Sequence, residues 1–533
     1  MTVTRLRSPK PLLRFGALVT GFALVVSACS DPSASSSGGS GSSDADSTIT
    51  AGYTAPVTTI DPGAACDPPS YTAVQQLYDE LVTGTGKEPV QPMLASSWTQ
   101  NDDATSYTFK LREDVTFSSG NPMTSADVVY SLNYALERDG CAAYVMTSGY
   151  SEIDTITAPD DYTVTVTFTS PNPIFLSTLS GQVAILDSKV VEEHGGSSDE
   201  GAAWLATNAA GSGPFTLETY QPDSQVVFNA RSDYWGGAPA PSKVIMKIVP
   251  DASSLAVLAK SGELDLAYNV PLSNVDSLKS DPNLQIITNP SMRYYNVGFN
   301  VSKAPLDNEL VRQALTYATP LDEIVKNFGY GMAQKLTSPL LPAQTYYEET
   351  PDLYPYNIEK AKQLLAEAGE PNPQLTLTLQ SGYPVLKQLA TVLQSSWAEA
   401  GADLQINVVS PAQFVDEVYG WKDQMYMITD GPQGTYDPGY FFGFFLKCDN
   451  AFNWSRYCNK QVDQLLAEAQ ATTDPNVAGP LYRQIAQIAA KEAPYLMLMN
   501  PNSTIVAKKS VSGYVQYSDD VTRFNTITAT STK

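Results

Sequence analysis

From Thr48 to the C-terminus the chain switches repeatedly between two hydrophobic periods, and this pattern most limits the folds open to it. Tyr107, Phe109 and Leu111 alternate with Thr108 and Lys110. Val164, Val166 and Phe168 alternate with Thr165 and Thr167, and Leu375, Leu377 and Leu379 with Thr376 and Thr378. A period of two belongs to a strand with one buried face. Between such runs lie helical stripes. Ala361, Leu364, Leu365 and Ala368 follow a capping Asn357 and precede Gly369; Val311, Ala314, Leu315 and Ala318 form a second stripe, and Val462, Leu465, Leu466 and Ala469 a third. Asparagine satisfies free N–H groups at a helix start, and glycine adopts the left-handed turn that ends one. The mixture predicts α/β or α+β lobes. A chain of 533 residues exceeds what one core can hold, so two large lobes or several domains are expected.

The first 28 residues do not belong to that pattern. Arg5, Arg7, Lys10 and Arg14 precede an apolar run from Phe15 to Val26, which ends at Val26-Ser27-Ala28-Cys29. Basic residues, a short apolar segment and small residues at its end make a secretory signal, and the run is short for a membrane span. Cysteine after Ser-Ala resembles the lipobox of bacterial lipoproteins, which implies lipid on the Cys29 thiol and cleavage before it; ordinary secretion with unmodified Cys29 is the alternative. Residues 30–47 are Ser/Gly/Asp-rich and predict a flexible tether. The expected location is the extracytoplasmic face of the cell membrane, held by the lipid alone.

Without the signal, 28 basic residues face 56 acidic ones, a net charge of -28. So acidic a surface repels phosphate backbones, which argues against nucleic acid as a partner. Hydrophobic content of 43% and charged content of 17% suit a soluble globular body. Four cysteines remain. Cys448 and Cys458 are close in sequence, flank an aromatic loop and are expected to bridge, leaving Cys66 with Cys141; four free thiols are the alternative. With neither CxxC spacing nor a histidine cluster, no metal site is expected.

Catalytic chemistry is sparse. His194, in Val-Val-Glu-Glu-His-Gly-Gly, is the one histidine in the sequence and reads as a helix-end residue. No GxSxG elbow, P-loop or dinucleotide fingerprint occurs. A binding protein without cofactor is expected rather than an enzyme.

Seven blocks, in order, carry a resemblance. They are Tyr107-Thr-Phe-Lys-Leu-Arg112 after Trp98 with Asp127-Val-Val-Tyr-Ser131 beyond it; Gly211-Ser-Gly-Pro-Phe215; Asp233-Tyr-Trp-Gly-Gly237; Gly262-Glu-Leu-Asp265; Tyr295-Asn-Val-Gly-Phe-Asn300 leading to Asp307-Asn-Glu-Leu-Val-Arg312; the Tyr356–Gly369 helix; and Trp454-Ser-Arg-Tyr-Cys458. Together the chain resembles the extracellular solute-binding proteins of family 5, which include dipeptide- and oligopeptide-binding proteins of ABC importers. The resemblance implies a two-lobed periplasmic-binding-protein-like fold, type II of the large cluster, with the ligand cleft between the lobes. Lobe one would take residues 48–291, with an extra subdomain at about 71–202, and receive 502–533; lobe two would take 292–501. Expected partners are a peptide or other small solute and ABC permease subunits, the protein itself being a monomer.

By the same resemblance Asp430, after Thr429, would meet the ligand's amine, since a buried ammonium needs a carboxylate. Asp437 is the alternative carboxylate, and a turn or cap the alternative role for Asp430. Tyr268 and Asn269 resemble a cleft loop, with Tyr53 and Thr54 as further candidates. Dipeptide binders place an arginine for the ligand carboxylate near the Tyr383–Lys387 segment; here Lys387 is nearest, and no arginine occurs between Arg312 and Arg456. Lysine lacks the bidentate fork, so a longer peptide with its carboxylate in water, or an amine or neutral ligand, would fit better. Trp421 and Trp454 could stack on a sugar or aromatic ligand, or lie in the core. An oligosaccharide, an amine, a small organic acid, or an envelope scaffold or regulator role are the competing readings.

Overall fold

The computed structural model describes residues 47–84, 90–138, 140–147, 151–430, 436–517 and 519–530, with the backbone alone at Asp430. The signal, Cys29 and all of the tether before Ser47 lie outside the described residues.

Lobe one is built on a seven-stranded sheet. Its order is Leu284–Asn289, Ser503–Lys508, Leu266–Tyr268, Thr48–Tyr53, Lys243–Ile248, Gln225–Ala230 and Phe215–Gln221. Thr48–Tyr53 is central and parallel to both neighbours. Gly52 lets a helix pack directly on this strand: a Cβ there would lie 2.5 Å from Leu264 Cδ1 and 2.7 Å from Leu255 Cδ2. A separate four-stranded antiparallel sheet, Ala95–Gln100, Ser106–Leu111, Thr163–Phe168 and Ile153–Asp160, carries its own core of Tyr107, Phe109, Val164, Val166 and Phe175. That core runs from Leu81 to Ile185, while the helix Pro68–Leu77 packs in the main core of lobe one.

Lobe two holds a six-stranded mixed sheet: Ala333–Gln334, Tyr495–Pro501, Tyr294–Phe299, Met425–Asp430, Gln374–Gln380 and Asp403–Val409. The alternating leucines of Gln374–Gln380 are buried against the helix Pro384–Ala400. Asn357 accepts from the Lys360 N–H at 2.9 Å and caps Ile358–Glu367, whose Ala361, Leu364 and Leu365 are buried; Gly369, at φ 76°, follows its end. Val462, Leu465, Leu466 and Ala469 are likewise buried on Lys460–Gln470. Trp397 is fully buried, with its indole N–H donating to Thr319 Oγ1 at 3.0 Å.

Two short segments join the lobes. Asn289 leads through 290–293 to Tyr294, and Pro501 leads through Asn502 to Ser503. Each antiparallel strand pair thus continues from one sheet into the other. Disulfides join Cys66 to Cys141 and Cys448 to Cys458. His194 closes the helix Ser188–Glu193, its Nδ1 lying 2.9 Å from the Val190 carbonyl and its ring stacked on Trp204.

Replacing Trp397 by alanine removes the largest fully buried side chain of lobe two. A loss of about 3–5 kcal/mol is expected in urea denaturation, read on the transition of lobe two.

Candidate functional site: the cleft beside the crossovers

Strand directions decide which residues reach the cleft. Met425–Asp430 runs antiparallel to Tyr294–Phe299, so Thr429 pairs with Tyr295 and Asp430 with Tyr294, at the crossover end of the lobe-two sheet. Gln374–Gln380 runs parallel to Met425–Asp430 and delivers the turn 381–383 to the same end. Gly382, at φ 95°, makes that turn, and Tyr383 stands half exposed before the helix Pro384–Ala400. Lys387 is exposed on the first turn of that helix. Thr429 is half-buried against Tyr295, whose hydroxyl is pushed up by burial while its hydrogen bond with Thr429 works the other way.

Lobe one offers Tyr268 at the end of its strand and Asn269, exposed and left-handed at φ 59°. The Tyr268 ring stacks on Tyr53 at 4.6 Å, and its hydroxyl shares a 2.7 Å hydrogen bond with Thr522. Thr54 is half-buried beside them.

The remaining candidates have other surroundings. Tyr53 is only 4% exposed, its ring stacked on Tyr268. Asp437 is the N-cap of Pro438–Phe445, accepting from the Gly439 N–H at 2.8 Å, so one of its oxygens is committed to the helix. Trp421 precedes Met425, which pairs with Phe299 at the far end of the sheet from Thr429; its ring carries Arg456 at 4.4 Å. Trp454 is a core residue stacked on Tyr419 at 4.6 Å. Neither tryptophan is brought to Thr429. The Asp430 side chain lies outside the described residues.

The C-terminal segment contributes charges that sequence reasoning missed. Arg523 grips Asp519 with both terminal nitrogens, at 2.9 and 2.8 Å, and lies 3.7 Å from Glu80 and 4.1 Å from the centre of the Tyr517 ring. All three charged groups are buried. Burial opposes the Arg523 charge, but Asp519 and Glu80 outweigh it and hold its pKa above the ordinary value. Burial pushes the Glu80 carboxyl up to about 8, against the pull of Arg523. Gly181, at φ 103°, donates its N–H to Glu80 at 2.7 Å, and a Cβ there would meet Asp519. The only sequence trace was the run Asp519-Asp520-Val-Thr-Arg523 beside Tyr514 and Tyr517.

The lobes touch across the cleft. Arg293 Nε lies 3.8 Å from Asp520 Oδ2, and the Tyr144 and Phe452 rings meet edge-on at 5.2 Å. Burial, with the charges of Asp520 and Asp519, pushes the Tyr436 hydroxyl up to about 12.

Two mixed sheets on a double crossover, with polar loops facing each other at the pivot, define a hinged solute-binding protein. Residues 89–453 match the bacterial extracellular solute-binding proteins, family 5 middle region. The probable D,D-dipeptide-binding periplasmic protein DdpA of Escherichia coli is 29% identical, over 86% of this chain and 89% of its own. Heme-binding protein A of Haemophilus influenzae is also 29% identical, over 84% and 86%. The periplasmic binding protein DppA from Helicobacter pylori, solved with peptide STSA, superposes with a TM-score of 0.80 at 27% identity, over 90% of this chain and 98% of that one. The chain belongs to the family 5 solute-binding proteins, whose members bind substrates for transport and are not enzymes. No helix among the described residues is long and apolar enough to cross a membrane.

Glu80 gives a signed test. A carboxyl held protonated in the fold above its usual pKa favours folding at low pH, and that contribution is lost as pH rises from about 4.5 to 8. Wild type is expected to lose on the order of a few kcal/mol relative to Glu80→Gln over that range, read as melting temperature against pH. Comparison with the variant separates Glu80 from Asp423, a buried carboxyl pushed up to about 7 by desolvation.

Proposed function

We propose that this protein is a lipid-anchored extracytoplasmic receptor that captures dipeptides or oligopeptides by closing two lobes and delivers them to an ABC permease. Lobe one takes 48–291 and 502–533, with the extra subdomain inside it, and lobe two takes 292–501. The observation that supports the reading is that Thr429 and Asp430 stand at the crossover end of the lobe-two sheet, paired with Tyr295 and Tyr294. Extended chain in such a cleft pairs with a peptide backbone whatever the side chains, and Asp430 supplies the charge for an amino terminus. Ligand touching both lobes stabilises the closed state over the open one, and closure reports loading to the permease. Cys29 carries the lipid, and the tether gives the body reach.

The name of the Haemophilus relative supports a second reading, in which the same cleft takes a non-peptide solute. Native mass spectrometry of protein purified from its host separates the two: a ladder of peptide masses supports the first, a single non-peptide mass the second. Asp430→Ala is expected to weaken binding of free-amine peptides by about a hundredfold or more, because the ammonium is left buried and unpaired. Unchanged affinity in calorimetry would remove Asp430 from the site. Cys29→Ser is expected to move the protein from the membrane fraction to the soluble one.

A further inference from the structure

We propose that Arg293 is the receptor for a ligand carboxylate, which makes the cleft selective for peptides with a free C-terminus; this rests on the peptide reading above. Lys387 is the cation nearest to where a carboxylate partner was sought in the sequence, but it is exposed on the outer face of its helix, where water screens its charge. Arg523, buried in lobe one, is spent on Asp519 and Glu80. Arg293 lies before the arginine-free stretch, and the topology brings it to the edge that Lys387 was expected to serve.

Its backbone is fixed at the pivot. The Arg293 N–H donates to Ser291 Oγ at 3.1 Å, and its carbonyl accepts from the Asn500 side-chain amide, so both crossover segments hold it. The next residue, Tyr294, pairs with Asp430, and Tyr295 pairs with Thr429. Arg293 immediately precedes the strand Tyr294–Phe299, and its charge acts on the Tyr295 hydroxyl. The guanidinium is therefore near the Tyr295 hydroxyl, which itself bonds with Thr429.

That guanidinium has capacity to spare. Its Nε edge faces Asp520 at 3.8 Å, a loose ion pair beyond hydrogen-bond length, and the side chain is 42% exposed. Among the described residues no contact is recorded for its two terminal nitrogens. Asp520 is a poor competitor, because burial raises its pKa and Gln516 already donates to its Oδ1. The open edge of Arg293 is a planar two-donor fork, the shape that takes a carboxylate through two parallel hydrogen bonds.

The test uses the mature protein with two equimolar libraries of di- to pentapeptides, one of free acids and one of C-terminal amides, competed and read by native mass spectrometry. Wild type is expected to retain acids at least tenfold over amides. Arg293→Gln is expected to bring that ratio to about one, and Arg293→Lys to restore part of it. A purely structural role at the hinge would weaken acids and amides equally and leave the ratio unchanged, which overturns the proposal. Equal retention by wild type overturns it without any variant and leaves the peptide reading standing. Retention of neither library removes the peptide reading and this inference with it.

Discussion

The molecule depends on how its two crossover segments are tied together. Ser291 Oγ donates to the Pro501 carbonyl at 2.6 Å, and the buried Asn500 amide reaches back to the carbonyls of Ser291 and Arg293. A buried amide with both protons satisfied is expensive to displace, so the segments act as one strap. Because the strap is made from strands that continue into both sheets, the lobes have a shared axis rather than a loose linker. The polar ends of both sheets are thereby set facing each other, and the cleft follows from that.

Charge in the buried cluster around Arg523 is arranged to stay put. Arg523 is neutralised by Asp519 at short range, and burial raises the pKa of Glu80 against the pull of Arg523. The cluster of Arg523, Asp519 and Glu80 thus carries little net charge. Arg293 and Asp520 are the pair at the pivot whose partners come from different lobes.

The fold was legible because its signals are local. Leucines alternating at 375, 377 and 379 say strand wherever that strand sits, and Asn357 with Gly369 bounds a helix without reference to anything else. Motif order then supplied the two-lobed topology. The site was legible only in part, since it is made by register. Thr429 and Tyr383 were placed together because they end parallel strands. Trp421 sits in the turn before Met425, at the other end of the strand from Thr429, a separation no composition argument reveals. Asp519 and Arg523 were missed because nothing local distinguishes a buried ion cluster from a solvated charge run. Arg293 escaped notice because it reaches the cleft from the far side of the crossover.

The edge-on contact between Tyr144 and Phe452 joins two elements that are each cross-linked. Tyr144 lies one turn from Cys141, bonded to Cys66, and Phe452 lies within the ten-residue separation of Cys448 and Cys458. Covalent stiffening of both lips means they meet as preformed surfaces and lose little freedom on contact. An edge-on ring pair adds about 0.5–1.5 kcal/mol to the contact between the lobes, and less of that gain is lost to ordering when both elements are already cross-linked.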